Sequence, residues 1–394
     1  AVINTQETLS VDTAAAKVPV TFPPPTTNAN WAQPGGVASN APGHLALTGT
    51  LRSVWSKSAG KGSSSKGHLT ASPIVYNGRI YTLDTRGQVR AFSASGGGQV
   101  WRTSTTPESE KDYEGFGGGL AIDNGRLYVT TGYGLVLALN PANGSKIWQK
   151  KIGIPIRSSP TAQDNRIFFV TTEGRFFGLD GGSGEEILSI RGIPESASLL
   201  TSVSPAVSGD NVVVPFASGD VTAYKISSNT SLWTESLTRR RVGASLSGLN
   251  DPARPVIVDG VVYAVGHGGR MIATAIGSGE RIWTQNISST QMPAVAGKSV
   301  FVVDSKGRLV ALTRATGKIS WMTELPKARS WSGPILAGGK LWAVSSEGLI
   351  VGTDAATGKV LTQRELKTRV LIPPIVASGR MYIYTDKAKL IALN

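Results

Sequence analysis

The chain has 394 residues, a formal net charge of +14 and no cysteine. The lack of cysteine excludes disulfides, thiolate metal sites and cysteine nucleophiles, and it fits an oxidising compartment. The positive charge predicts an acidic partner or surface, such as anionic lipid or an acidic protein. Nucleic acid is not expected as a partner, because the aromatic residues fall at regular repeat positions instead of alternating with lysines.

Residues 1–45 show no hydrophobic periodicity and contain proline and glycine clusters at 23–25 and 34–36. This composition predicts an extended or disordered N-terminal leader. The rest of the chain, residues 46–394, is predicted to form one domain, because an internal repeat runs through it.

The repeat begins in each unit with a glycine. These glycines are Gly87, Gly134, Gly174, Gly219, Gly269, Gly307 and Gly348. A small residue follows four positions later, a second turn residue ten positions later and usually a tryptophan fourteen positions later. The register within a unit is fixed, whereas the distance between units varies from roughly 38 to 50 residues, as in stacked supersecondary units joined by unequal loops.

Each unit has four short runs of β-branched and aromatic residues separated by glycine turns, which predicts four strands. Several runs are apolar almost throughout, so both faces of each sheet must be covered. An eighth unit ends with the chain after its third strand, and residues 49–56 carry the missing Trp55. The sequence therefore predicts an all-β fold: an eight-bladed β-propeller of four-stranded antiparallel blades, with an N-terminal strand completing the last blade. An open solenoid is the alternative.

No catalytic or metal constellation is evident. His44, His68 and His267 are isolated from other ligands at metal spacing, and no nucleophile has a partnered base. We therefore expect no catalytic residue, no metal and no cofactor.

Three connections between units are long, at residues 106–117, 192–202 and 238–252. Long loops on a rigid scaffold are where binding residues concentrate. The second and third contain Leu199, Leu200, Arg239, Arg240, Arg241, Leu249, Asn250 and Asp251. The alternatives are that the two leucines form a private core under their loop and that the arginines are a solvated basic edge.

The blade repeat, the split eighth blade and the loop lengths around Trp233 resemble the BamB family, the eight-bladed periplasmic lipoproteins of the outer-membrane β-barrel assembly machinery. The resemblance extends from Trp55 to Asn394 and rests on forms such as residues 125–129 and 316–321. Quinoprotein-type propellers share the repeat itself.

The resemblance implies a non-catalytic scaffold that docks on a POTRA domain of BamA through two loops. The family's Leu-x-Leu-Arg pattern falls on residues 197–200, where Leu199 matches and Ala197 and Leu200 depart. Its Asp-x-Asp pair falls on Asp251, and the second aspartate is missing. The resemblance also implies a lipid on a cysteine preceding residue 1, anchorage to the inner leaflet of the outer membrane, and unfolded outer-membrane proteins as a further partner. The alternative is a quinoprotein dehydrogenase of the periplasm.

Overall fold

The described residues of this computed structural model are 9–192, 203–239 and 252–394. They form eight four-stranded antiparallel sheets, and their one helix is a short 3-10 turn at Ala15–Lys17. The predicted all-β, eight-bladed propeller is therefore confirmed.

Blades are numbered here in chain order, each with its first strand innermost, since first strands of neighbouring blades contact one another. Blades 1 to 4 contain β2 (Ile74–Tyr76), β3 (Arg79–Leu83), β4 (Gln88–Ser93), β5 (Gln99–Ser104); β6 (Gly118–Asp123), β7 (Arg126–Thr131), β8 (Leu135–Leu139), β9 (Lys146–Lys151); β10 (Thr161–Gln163), β11 (Arg166–Val170), β12 (Arg175–Asp180), β13 (Glu186–Arg191); β14 (Ala206–Ser208), β15 (Asn211–Pro215), β16 (Asp220–Lys225), β17 (Thr230–Ser236).

Blades 5 to 8 contain β18 (Val256–Val258), β19 (Val261–Val265), β20 (Met271–Ala275), β21 (Arg281–Gln285); β22 (Ala294–Ala296), β23 (Ser299–Val303), β24 (Arg308–Thr313), β25 (Ile319–Glu324); β26 (Trp331–Ala337), β27 (Lys340–Ser345), β28 (Leu349–Asp354), β29 (Val360–Glu365); β30 (Ile375–Ala377), β31 (Arg380–Tyr384), β32 (Lys389–Leu393) and the N-terminal β1 (Ser53–Ser58).

The closing strand β1 pairs antiparallel with β32, and Trp55 lies opposite Ala392. The backbones of Arg52 and Asn394 also exchange two hydrogen bonds, of 2.6 and 2.9 Å. Blade 8 is thus built from the two ends of the propeller sequence, as predicted. This pairing gives blade 8 its fourth strand and covers β32, and the Trp55 indole N–H, which donates to Ala94 O at 3.2 Å, joins the last blade to the first.

The repeated tryptophan links each blade to the next. Trp101 of blade 1, for example, donates its indole N–H to Pro141 O of blade 2 at 3.0 Å, and its ring lies over Gly144. A Cβ on Gly144 would come within 2.5 Å of that ring, which explains why the turn residue is glycine. In the described residues the same indole-to-turn hydrogen bond is made by Trp55, Trp101, Trp148, Trp233, Trp283 and Trp321.

Two repeats lack the tryptophan, and the structure explains its absence in each. In blade 3 the position is Leu188, and the facing turn of blade 4 carries Asn229 instead of glycine. In blade 7 the position is Thr362, and the adjoining blade 8 has no turn between its third and fourth strands, because these are β32 and β1 at opposite ends of the chain. Tryptophan and its glycine are therefore present or absent together.

The segment predicted as an extended or disordered leader has a largely irregular backbone in residues 9–45, and this backbone is hydrogen-bonded to the blades. Residues 28–47, called here the belt, make one circuit around an end of the central channel and contact the innermost strands. Hydrogen bonds join Asn28 to blade 8, Trp31 to blade 1, Ala38 to blade 4 and Leu45 to blade 7. The inner edge of each first strand has unpaired backbone groups, and the belt supplies partners for them.

Two buried amides of the belt each bridge two blades. Gln33 Nε2 donates to Ile122 O and Ala162 O, both at 2.9 Å, and its Oε1 accepts from Ala162 N at 2.9 Å. Asn40 Nδ2 donates to Pro205 O, just before blade 4, at 3.4 Å and to Pro255 O, just before blade 5, at 2.9 Å. The belt is therefore fixed by specific polar contacts as well as by its buried Trp31 and Leu45, which are each 1% exposed.

His44 also belongs to the belt and is 6% exposed, so it is not the surface residue that isolated histidines usually are. Its Nε2 accepts from Gly339 N at 2.8 Å, and its Nδ1 lies 2.6 Å from Pro23 O. This pattern fits the neutral tautomer with the proton on Nδ1.

Candidate docking face and central channel

The propeller has two unlike faces. The connections from each fourth strand to the next blade emerge on one face, together with the turns between second and third strands; we call it the crossover face. The opening residue of a crossover commonly bonds to the turn of its own blade, as in Ile152 N to Gly134 O and Leu237 N to Gly219 O, both at 2.8 Å. The belt lies at the opposite end of the channel, beside the turns between first and second strands, and we call that side the belt face.

The two longest crossovers on the described framework join β13 to β14 and β17 to β18. The first of these crossovers enters blade 4 and the second leaves it, so each has one end, called here its foot, on blade 4. The feet are firmly attached: Ser159 N donates to Val203 O at 2.9 Å, Arg239 N to Gly268 O at 3.0 Å, and Ala253 N to Val265 O at 2.9 Å. The described ends of both loops are thus attached to the crossover face.

Of the predicted partner-binding residues, the structure describes Arg239. Its side chain is exposed, and its aliphatic part lies beside Gly269. The other eight predicted residues lie outside the described part of the chain: Ala197, Leu199, Leu200, Arg240, Arg241, Leu249, Asn250 and Asp251.

Two aromatic rings of the third long crossover are contacted by cations from other segments, which the sequence analysis did not single out. The Tyr113 ring lies 4.2 Å from Lys66 Nζ and 5.5 Å from the guanidinium of Arg86. Arg86 also pairs with Asp112 at 2.6 Å, and Arg157 lies 4.7 Å above the ring of Phe116. Cation–π spacing is not visible in sequence, because Lys66 and Arg157 come from different blade approaches.

The channel forms a cup that opens on the crossover face and is closed by the belt. Its open part, about 290 Å³, is lined by His68, Leu69, Thr70, Ser72, Val203, Arg254, Thr290, Gln291, Met292, Leu371, Ile372 and Pro373. Trp31 and Pro34 of the belt line the smaller space beneath it, together with Arg254 and Met292. The residues that line the open part come from the segments that precede the first strands of different blades, so closure of the ring brings them together.

Arg254 is the cation of this cup. Its side chain is half-buried, and desolvation in the channel lowers its pKa from 12.5 to about 10. The guanidinium therefore remains charged at neutral pH. Among the described residues, no group of three or more His, Asp or Glu is placed to hold a metal ion.

Repeated tryptophan-to-turn contacts, a split last blade and long loops on one face define a class of protein: an eight-bladed propeller of the PQQ-like repeat type. The family model described as "Outer membrane protein assembly factor BamB" matches residues 85–323 and 324–394. The chain belongs to the BamB family.

Among the relatives, "Outer membrane protein assembly factor BamB" of Yersinia pestis is 26% identical over 65% of this chain and 66% of its own length. Across the first matches the chain spans about a third to two thirds of the curated relatives' lengths. The crystal structure of BamB from Moraxella catarrhalis has a TM-score of 0.72 at 18% identity, and it covers 88% of this chain and 98% of that one.

A quinohemoprotein alcohol dehydrogenase from Comamonas testosteroni has a similar fold, with a TM-score of 0.73 at 13% identity over 93% of this chain and 80% of its own. At such identities the likeness concerns the fold alone. Among the described residues, no helix has the length and apolar character needed to cross a membrane.

Proposed function

We propose that this protein is a non-catalytic scaffold of outer-membrane β-barrel assembly that docks on a POTRA domain of BamA through its two longest crossovers. Membership of the BamB family supports the assembly role. The observation that supports the docking surface is that each of the two crossovers has one end on blade 4, where the described residues of both ends are hydrogen-bonded to the crossover face. Adjacent long loops on a rigid base are suited to protein recognition.

The apolar part of this surface is tested by the double variant Leu199→Asp/Leu200→Asp. If both leucines are interface anchors, each contributes roughly 1–3 kcal/mol, and BamA binding should be lost while the circular dichroism spectrum is unchanged. The matched control is Leu361→Asp, because Leu361 is 51% exposed on the outer strand of blade 7, away from the crossovers. An unfolded double variant would favour the private-core alternative, and a folded double variant that binds normally would contradict the proposal.

Asp251 and the arginines test the polar part. Asp251→Arg should weaken BamA binding, and reversing the basic group that it meets should restore binding, which simple loop damage would not do. Replacing Arg239, Arg240 and Arg241 together with Gln should reduce the dependence of affinity on salt if they form a solvated steering patch. An unchanged dependence of affinity on salt would show that the three arginines are not part of the docking surface.

The same proposal places the protein in the periplasm, held at the inner leaflet of the outer membrane by an N-terminal lipid. The net charge of +14 favours contact with an anionic leaflet. Fractionation of cells that produce the native precursor tests this: the protein should sediment with outer membranes, and replacing the residue that would be lipidated should release it into the periplasmic fraction. Recovery of both the native protein and the variant in the cytoplasmic fraction would contradict the location.

Unfolded outer-membrane strands are a second candidate partner, supported by the outer edges of the blades. Each outermost strand has an unpaired edge, and exposed aliphatic side chains line six of them: Val54, Val100, Ile147, Ile187, Ile282 and Leu361. Edges of this kind accept extended peptides. Ile147→Lys/Ile187→Lys should weaken binding of an unfolded barrel segment without affecting BamA, and unaltered binding would exclude these edges.

The alternative enzyme function, a quinoprotein dehydrogenase, has the similar fold in its favour. Adding pyrroloquinoline quinone and Ca²⁺ to the purified protein distinguishes the two. A scaffold should show no stoichiometric quinone absorbance after desalting and no dye reduction with alcohols. Retained quinone with alcohol-dependent dye reduction would replace the scaffold proposal.

A further inference from the structure

One outermost strand of the propeller is already covered by another segment of the same chain. Residues 9–20, called here the strap, contact β25 of blade 6. Asp12 N donates to Ile319 O at 2.9 Å, and Asp12 Oδ2 lies 3.3 Å from Lys318 Nζ. The strap is therefore held at this edge by a backbone hydrogen bond and an ion pair.

The strap covers a position that is open in most other blades. Every outermost strand has a β-bulge at the residue directly before the tryptophan position. In blade 6 this residue is Ser320, which is 7% exposed. The six exposed aliphatic residues named above occupy the same position in their blades and are 39% to 51% exposed. Their edges thus lack the cover that the strap gives to blade 6.

Blade 7 has the same cation at its edge without the strap. Thr313 N donates to Lys318 O at 2.8 Å in blade 6, and Asp354 N donates to Lys359 O at 2.8 Å in blade 7. This shared hydrogen bond makes Lys359 the structural counterpart of Lys318. Lys359 is exposed and forms no salt bridge with any residue that the structure describes.

The apolar contact of the strap is also available at blade 7. Leu9 packs against the apolar cluster that contains Trp283 of blade 5 and Ile319 of blade 6. The counterparts one blade further along are Trp321 and Val360, and both are half-buried. Blade 7 therefore combines a free cation with an accessible apolar surface.

Charge and polarity distinguish blade 7 from the other edges. In blades 3 and 5 the counterpart of Lys359 is Glu185 or Glu280, whose carbonyl group accepts the same hydrogen bond. A carboxylate at this place repels an acidic segment. In blade 8 the counterpart is Arg52, but Thr362 and Ser53 stand where blade 7 has its apolar pair. Blade 7 thus resembles the occupied edge in both respects.

We infer that the outer edge of blade 7 binds a polypeptide segment with an acidic residue three positions after an apolar one, as the strap has on blade 6. The carboxylate pairs with Lys359, the backbone N–H of the acidic residue donates to Val360 O, and the apolar side chain packs against Trp321. That the segment belongs to an unfolded outer-membrane strand rests on the proposed function. Binding of such a segment to the edge does not.

The test uses a peptide with the sequence of residues 9–20 as the probe and the same peptide with Asp12→Lys as the matched control. The chain has no cysteine, so a fluorophore can be attached to Gln363→Cys in blade 7 or to Thr284→Cys, the same position in blade 5. The probe should change the blade 7 signal saturably and leave the blade 5 signal unchanged. The control peptide should bind at least about fivefold more weakly. No saturable change with millimolar probe, or equal changes at both labels, would overturn the proposal.

Lys359→Glu should weaken binding of the probe at least about fivefold and make the control peptide the stronger ligand, a reversal that damage to the strand would not produce. Lys367→Glu, which changes an exposed lysine just beyond the other end of β29, should have no effect. If Lys359→Glu does not fold, Lys359→Gln and the two peptides on the wild type decide the question. An unaltered preference for the probe in both Lys359 variants would exclude Lys359.

Two further measurements identify the occupant. An unfolded barrel segment that contains the same apolar and acidic pattern should displace the probe. If the probe binds and the barrel segment does not compete, the edge is retained and the proposed unfolded partner is wrong. A blade 7 signal that changes with protein concentration alone, together with dimers in sedimentation, would assign the edge to a second copy and overturn its assignment to a partner polypeptide.

Discussion

At the level of single residues, the contact between a tryptophan and a turn glycine explains the most regular feature of the sequence. Gly144 and Gly125 both have positive φ, of 74° and 72°. A Cβ on Gly144 would meet the Trp101 ring and Thr103 Oγ1 at 2.5 Å, whereas nothing lies within 4 Å of a Cβ on Gly125. The two positions therefore separate ring contact from backbone strain.

We expect Gly144→Ala to lower the free energy of unfolding by about 1–3 kcal/mol more than Gly125→Ala, since overpacking adds to the same left-handed strain. Equilibrium unfolding in urea measures both. Equal losses in the two variants would mean that the tryptophan ring yields at no cost.

Gln33 offers a second test at this scale. Gln33→Ala leaves Ile122 O and both backbone polar groups of Ala162 without their present partner, so we expect a loss of at least about 2 kcal/mol. Gln149→Ala serves as control, because Gln149 is exposed and should change stability by less than about 0.5 kcal/mol. A neutral Gln33→Ala would show that the bridge between blades 2 and 3 is dispensable.

At the level of elements, the belt differs most from the sequence prediction, because residues expected to form an extended or disordered leader are hydrogen-bonded to the blades. Deleting residues 1–27 leaves the whole circuit of residues 28–47, whereas deleting residues 1–47 removes it and spares β1. We expect the longer deletion to lower the free energy of unfolding by more than about 3 kcal/mol relative to the shorter one, because Trp31, Leu45 and two bridging amides are lost. Coinciding urea transitions would contradict a structural role for the belt.

The strands and the belt differ in how far sequence could predict them. Blade strands follow from a repeat whose register is local, and Trp55 outside the repeat revealed the split blade. The belt has no such pattern, because the partners of residues such as Asn28 lie on strands as distant as Val376. Trp31 was the available signal: it is a large apolar residue outside the repeat register within a segment otherwise poor in them.

The candidate site could likewise be predicted from the sequence only in part. Loop lengths and the family resemblance indicated the crossovers, and the structure shows that their feet adjoin on blade 4. The cup could not be predicted from the sequence, since Arg254 and Trp31 belong to segments without a repeat and meet only in the closed ring.

At the level of the whole molecule, the blades bury several tyrosines, four of them at the equivalent position of a second strand: Tyr81, Tyr128, Tyr263 and Tyr382. Burial raises the pKa of Tyr81, Tyr224, Tyr263, Tyr382 and Tyr384, and that of Tyr128 from 10.0 to about 12. Desolvation is the main cause in each case. The folded protein therefore keeps phenol protons that the unfolded chain releases at lower pH.

Because these pKa values are raised on folding, their contribution to stability is complete below pH 10.0 and is lost as pH rises through the folded values, for Tyr128 about 12. We expect a cooperative alkaline unfolding in which tyrosinate absorbance and loss of β-sheet dichroism coincide. Tyr128→Phe should keep more of its stability at high pH than the wild type does. Ionisation of most tyrosines well before the dichroism changes would contradict this linkage.

The split blade also has a consequence for biosynthesis. Among the strands of the propeller β1 is synthesised first, yet its partner β32 is synthesised last. During translation β1 must therefore remain unpaired, with Trp55 uncovered, until the last propeller strand has emerged. A nascent chain of this kind needs protection by a chaperone for longer than one whose early strands pair locally. Stalled or truncated products that lack β32 should consequently be recognised as unfinished, since the loss of this one strand leaves the first strand of the propeller without its partner.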